Sequence, residues 1–124
     1  MSDSQTLQWQ ALSRDHHLPP FTDFKALNAK GTRIITRGEG VYLWDSEGHK
    51  ILDAMAGLWC VNLGYGREEL VEAATRQMRE LPYYNLFFQT AHPPALALAK
   101  AIAEIAPEGM NHVFFTGSGS EAND

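Results

Sequence analysis

A single cysteine, Cys60, leaves no possibility of an intrachain disulfide and makes a reducing compartment the simpler expectation. Clustered positive charge is missing as well: the ten Lys and Arg residues are scattered, and the formal net charge is −5. Nucleic acids and anionic membranes are held by grouped basic side chains that neutralise phosphates, so neither is expected as a partner. No apolar run is long enough to span a bilayer, and residues 1–10 have neither the basic segment nor the apolar stretch of a secretory leader. A cytoplasmic location follows as the expectation. Internal repeats, low-complexity tracts and an evident linker are also absent. What remains is a 124-residue chain with 44% apolar residues, the balance of an ordinary globular protein and enough for one core.

Local patterns divide the chain. Leu7, Trp9, Ala11 and Leu12 suggest a short helix that must stop before Pro19-Pro20, because proline disfavours helix in the residue preceding it. From Arg33 to Asp53 the texture is β: Arg33-Ile34-Ile35-Thr36, Val41-Tyr42-Leu43-Trp44 and Ile51-Leu52, separated by Gly38-Glu39-Gly40 and Asp45-Ser46-Glu47-Gly48. Glycine and carboxylate at those breaks are the chemistry of tight turns, and the expectation is a small antiparallel meander. Arg67 to Leu81 reads as a helix with Leu70, Ala74 and Met78 on one face, acids near its start and Arg76 and Arg79 near its end; Pro82 closes it. A second helix is expected from Pro94 to Ala106, with Leu98, Ile102 and Ile105 on one face and Pro107 and Gly109 as its stop. His112 to Thr116 then reads as a short buried strand.

That strand runs into Gly117-Ser118-Gly119-Ser120-Glu121-Ala122-Asn123-Asp124. The first N–H groups of a helix lack partners within it, and the helix dipole adds partial positive charge there, so an anion can satisfy both. Gly117 and Gly119 allow close backbone approach, while Ser118 and Ser120 add hydroxyl donors. An ordinary Gly/Ser turn fits the same residues. A nucleotide P-loop does not, because no Gly-Lys-[Ser/Thr] follows. Strand, helices, strand and glycine loop together look like the entry into an α/β sheet, whose ligands sit outside the carboxyl ends of the strands.

Several segments in order resemble one family. They are His17-Leu18-Pro19-Pro20-Phe21, Gly40-Val41-Tyr42-Leu43-Trp44-Asp45, Leu52-Asp53-Ala54-Met55-Ala56-Gly57-Leu58-Trp59, Leu63-Gly64-Tyr65-Gly66, and Gly117-Ser118-Gly119-Ser120-Glu121-Ala122. The chain from about Trp9 onward resembles the N-terminal quarter of class III pyridoxal-phosphate aminotransferases of fold type I. Gly57-Leu58-Trp59-Cys60-Val61-Asn62 and Tyr83-Tyr84-Asn85-Leu86-Phe87-Phe88 are most similar to the omega-amine:pyruvate branch, nearest to its putrescine and polyamine members. β-Alanine:pyruvate and aromatic amine:pyruvate members are similar here too.

The resemblance implies an α/β fold: residues 1–66 as an N-terminal arm and meander belonging to the small domain, and residues 67–124 as the start of the large parallel-sheet, cofactor-binding domain. It implies pyridoxal 5'-phosphate as cofactor, with Ser118, Gly119 and Ser120 on its phosphate. Phe21, Leu58 and Trp59 match positions lining the amine pocket, and Phe87 one that reaches the neighbouring subunit's site, so a homodimer is implied. The partners are a small amine donor and pyruvate. Taken without the family, each of these aromatics reads as core packing. No metal is expected: adjacent His16 and His17 would point in different directions on a helix. Glu121 is expected to serve the helix start, His92 to help the turn into the second helix, and Cys60 to pack. The four lysines, Lys25, Lys30, Lys50 and Lys100, all precede the glycine loop, whereas the family's Schiff-base lysine lies far beyond it. No catalytic residue is therefore carried over; the chain is expected to be a truncated part of an aminotransferase, inactive by itself. A non-catalytic remnant packing against a full-length homologue is the alternative.

Overall fold

A computed structural model describes residues 3–124. It forms two compact units, one ending at Ala74 and the other running Thr75–Asp124. In the first, α1 (Asp3–His16) is followed by α2 (Phe24–Lys30), three strands and a one-turn element, α3 (Ala56–Trp59). Helix α4 (Glu68–Glu80) crosses the division, and the second unit adds α5 (Pro93–Ile105) and α6 (Gly119–Asn123).

The strands β1 (Ile35–Glu39), β2 (Tyr42–Asp45) and β3 (Lys50–Leu52) form the expected antiparallel meander, in the order β1-β2-β3. Its first turn lies later than the glycines suggest. Gly38 and Glu39 belong to β1, opposite Leu43 and Tyr42, so the loop is the two residues Gly40 and Val41. Gly40, at φ 56°, supplies the positive φ that tight hairpins favour at the first loop position. The second turn is held by Asp45: its Oδ1 accepts the N–H groups of Glu47 (3.1 Å) and His49 (2.9 Å), and its Oδ2 lies 3.0 Å from the His49 ring and 3.6 Å from Arg33 Nε. On one face Arg37 lies 3.6 Å over the Trp44 ring, and Lys50 Nζ lies 3.9 Å over Tyr42.

The helices start and stop for local reasons. Asp23 caps α2 by accepting from the N–H groups of Lys25 and Ala26, and Gly31 at φ 80° ends it. α4 has Glu68 and Glu69 in its first turn and Arg79 in its last, matching the dipole. Prolines fill the first turn of α5, where a missing N–H costs nothing.

Two expectations are overturned. His112 to Thr116 forms no strand. A strand needs a hydrogen-bonded neighbour, and the antiparallel pairs of the meander are the only ladders among the described residues. The core also fails to appear: among the described residues no apolar side chain is buried, and the buried ones are Thr6, Asp45 and Ser46. Leu70 and Met78 on α4, and Leu98 and Ile105 on α5, carry the expected periodicity but stay exposed. No described helix is long and apolar enough to cross a membrane.

Candidate functional site

In the first unit, β3 leads directly into a left-handed turn. Ala56, Gly57, Leu58 and Trp59 have φ of 48°, 60°, 61° and 68°. The turn is closed by the N–H of Trp59 on the Met55 carbonyl (2.9 Å) and that of Val61 on Ala56 (2.8 Å). Left-handed helical backbone costs a non-glycine residue about 1–2 kcal/mol, and three of these four have a Cβ. Glycine is needed at 57 for a second reason: an added Cβ would lie 2.7 Å from Val61 Cγ2 and 3.1 Å from Tyr65 Oη. Leu58 and Trp59 therefore leave the turn on its outer side, 69% and 83% exposed. Phe21, further back in the chain, is also left-handed, at φ 51°, and fully exposed.

Asp53 organises this turn. Its Oδ2 accepts the Gly57 N–H (2.8 Å) and the Tyr65 hydroxyl (2.7 Å), and its Oδ1 accepts the Met55 N–H (3.2 Å). The Tyr65 hydroxyl, then the N–H groups of Gly57 and Met55, hold the Asp53 carboxyl below the usual carboxylate range against the opposing effect of partial desolvation. The same bond pushes the Tyr65 phenol up. Tyr65 is tied to the meander: its N–H and carbonyl pair with Gly40 at 2.8 and 3.0 Å, and a Cβ on Gly38 would fall 2.7 Å from its ring.

The second unit places Phe87 beside another left-handed pair, Phe88 and Gln89, at φ 56° and 66°. Asn85 Oδ1 accepts the Phe87 N–H (2.9 Å), and the Thr90 hydroxyl donates to the Phe87 carbonyl (2.6 Å). Phe87, Tyr83, Tyr84, His92, Phe114 and Phe115 line an open hollow of about 500 Å³. His92 is the N-cap residue of α5, as expected for the turn into that helix, and its ring Nδ1 is buried without a hydrogen-bond partner.

Ser118 is the N-cap of α6, its backbone extended and its Oγ accepting the Glu121 N–H at 3.2 Å. Glu121 reaches back to accept the Gly117 N–H at 2.8 Å, a cap role, as the sequence suggests. Ser118 keeps its hydroxyl proton for a ligand, the N–H groups of Gly119 and Ser120 open the helix without partners in it, and nothing lies within 4 Å of where a Gly119 Cβ would be. These donors, with open space over Gly119, fit a phosphate, while the Glu121 carboxylate beside them is taken up by the Gly117 N–H.

The sequence-derived site residues thus fall into separate local settings: Leu58 and Trp59 together in one turn with Phe21 apart from it in the first unit, and Phe87 and Ser118 to Ser120 in the second. All seven are exposed, so the core-packing reading of the aromatics does not hold for the described chain. Cys60, expected to pack, is exposed too, its thiol donating to the Leu58 carbonyl at 3.4 Å. Sequence reasoning gave no role to Asp53 or Tyr65. The available signal was an Asp at a strand end followed four residues later by Gly, the spacing of a side-chain-braced turn.

A family model described as aminotransferase class-III matches residues 25–124. The putrescine–pyruvate aminotransferase of Pseudomonas aeruginosa is 82% identical over all 124 residues, which correspond to 27% of that protein. An (S)-enantioselective omega-transaminase from Thermomicrobium roseum superposes with a TM-score of 0.90 at 44% identity, over 94% of this chain and 26% of that one. The omega transaminase from Pseudomonas jessenii in complex with PMP gives 0.87 at 42% identity, over 92% and 25%. The chain therefore spans about a quarter of the length of these relatives.

Proposed function

The chain belongs to the class III aminotransferases, and on that footing we propose that it is the N-terminal part of an enzyme moving a terminal amino group from a putrescine-like amine to pyruvate. The observation carrying the substrate reading is its high identity, along the whole chain, to a putrescine–pyruvate aminotransferase. Residues 1–66 are then the arm and meander of the small domain, and residues 67–124 open the large one, with His112 to Thr116 completed as a strand by downstream parallel partners. The working enzyme is a homodimer.

Pyridoxal phosphate, when bound, supplies the electron sink of the reaction. This chain's residues bind and orient. The Ser118 and Ser120 hydroxyls and the N–H groups of Gly119 and Ser120 hold the cofactor phosphate, with the start of α6 adding its dipole. Phe21, Leu58 and Trp59 provide apolar surface for the donor's methylene chain and exclude water from it, and Phe87 serves the neighbouring subunit's pocket. Three of these positions lie in left-handed backbone and Phe87 beside the left-handed Phe88, which supports this reading, because strained conformations gather where function requires them. In the family the Schiff-base lysine lies beyond the glycine loop, and none of the four lysines here does, so proton transfer at the substrate carbon is assigned to none of them.

The test expresses the open reading frame at the length of the relatives and offers it pyruvate with putrescine, β-alanine or an aromatic amine. Alanine formed fastest from putrescine is expected. Preference for another donor would replace the substrate reading, and no alanine with any donor would favour a non-catalytic chain. The 124-residue chain alone is expected to form none.

A further inference from the structure

We propose that the Asp53–Tyr65 pair sets Leu58 and Trp59 in their left-handed turn, making both members positioning residues for amine-donor recognition. The consequence for the donor rests on the reading that Leu58 and Trp59 meet it; the positioning itself rests on geometry alone.

Each end of the pair is fixed independently. Asp53 leaves β3 with its N–H on the Val41 carbonyl at 2.9 Å. Tyr65 is fixed by its two backbone bonds to Gly40 and by the seat of its ring against Gly38. Both anchors are in the meander, so the hydroxyl arrives at Asp53 Oδ2 from a rigid platform. The same oxygen receives the Gly57 N–H in the middle of the turn, and the other oxygen receives Met55 just before it. Three non-glycine residues there carry the cost of positive φ, and the backbone bonds that close the turn, Trp59 N–H to Met55 and Val61 N–H to Ala56, do not tie it to the meander. The side-chain tie inside the turn is the Gly57 N–H on Asp53 Oδ2. Without the hydroxyl, Asp53 keeps only the Gly57 and Met55 N–H groups of the turn itself, and the side-chain bond that ties the turn to Tyr65 and the meander is lost. Leu58 and Trp59, projecting from its outer side, would then take other directions.

The experiment uses the full-length holoenzyme labelled with 5-fluorotryptophan, the Trp59 resonance being assigned by its loss in Trp59→Phe. Tyr65→Phe keeps the ring and the backbone pairs; Asp53→Asn is the second variant should the first not fold. We expect the Trp59 resonance to shift or split while that of Trp9 stays. We also expect KM for putrescine to rise about tenfold, the scale of one hydrogen bond to a charged group, with kcat and the KM for pyruvate within about twofold. An unmoved Trp59 resonance in both variants overturns the inference, even if the thermal midpoint falls, because that is what mere structural support would give. A moved resonance with unchanged donor KM upholds the positioning and overturns the reading that Trp59 meets the donor.

Discussion

The two units are built from equally local sequence, yet they close differently. The first, ending at Ala74, finishes its β structure within itself: each strand pairs with its neighbour in sequence, and Asp45 and Asp53 occupy the turns with their own hydrogen bonds. The second, from Thr75, has well-formed helices but an apolar stretch, His112 to Thr116, that pairs with nothing. Antiparallel strands joined by short turns, here of two and four residues, need no distant partner, whereas parallel strands must be joined by a crossover of a dozen or more residues.

Four measurements would break or sharpen that contrast. The largest effect is expected in amide exchange of the chain as it stands: the N–H groups in the β2 ladder should exchange about a hundredfold more slowly than those of residues 113–115. Equal protection in both would mean that the second unit has found a strand partner after all. Next, Gly38→Ala forces a Cβ to within 2.7 Å of the Tyr65 ring and should destabilise the meander by about 1–3 kcal/mol, read as faster exchange at Gly40 and Tyr65. A neutral result would show that the ring is not seated there. Ser118→Ala removes one cap bond from α6 and should cost about 1 kcal/mol, confined to residues 117–123 and read as faster exchange of the Glu121 amide. Spread of the effect into α5 would contradict the local character of that loop.

The smallest effect is with pH. Asp53, through the Tyr65 hydroxyl bond, and Asp45, whose hydrogen bonds from His49 and Glu47 outweigh its burial, both sit below the model-compound value of 3.8. A depressed carboxyl stabilises the fold above its unfolded pKa, so this support should be complete above about pH 4 and fade as acid titrates the folded groups. Tyr65, raised above 10.0, contributes below that pH and loses its contribution as alkali deprotonates the folded phenol. Tyrosine 65 replaced by phenylalanine, Tyr65→Phe, should abolish the alkaline limb in a fluorescence titration; its persistence would remove the pair from the account.

Much of the first unit was legible because its information is short-range. The alternation of Ile35, Val41 to Trp44 and Ile51 with turn residues announced a meander; within it the placement of the Gly38-Glu39-Gly40 turn was missed, because three adjacent turn formers do not say which of them the register will use. Helices α1, α4 and α5 were legible from period and proline punctuation, whereas α2, started by the Asp23 cap, was not expected. The cap role of Glu121 was legible too, since a carboxylate in the first turn of a helix serves the helix start. By contrast, nothing in the periodicity of Leu70, Met78, Leu98 and Ile105 tells that these faces stay open in the described chain.

The sequence by itself determined the local chemistry: the starts and stops of α4 and α5, the antiparallel pairing, and the cap role of Glu121, since each depends on residues within a few positions of one another. Only the tertiary structure decided that Asp53 meets a tyrosine twelve residues away, that Leu58 and Trp59 ride on a left-handed turn, and that His112 to Thr116 lies unpaired. The physical reason is common to all three. Whether a carboxylate, a strained turn or a strand is stable depends on the partner that reaches it through space, and spacing along the chain does not specify that partner.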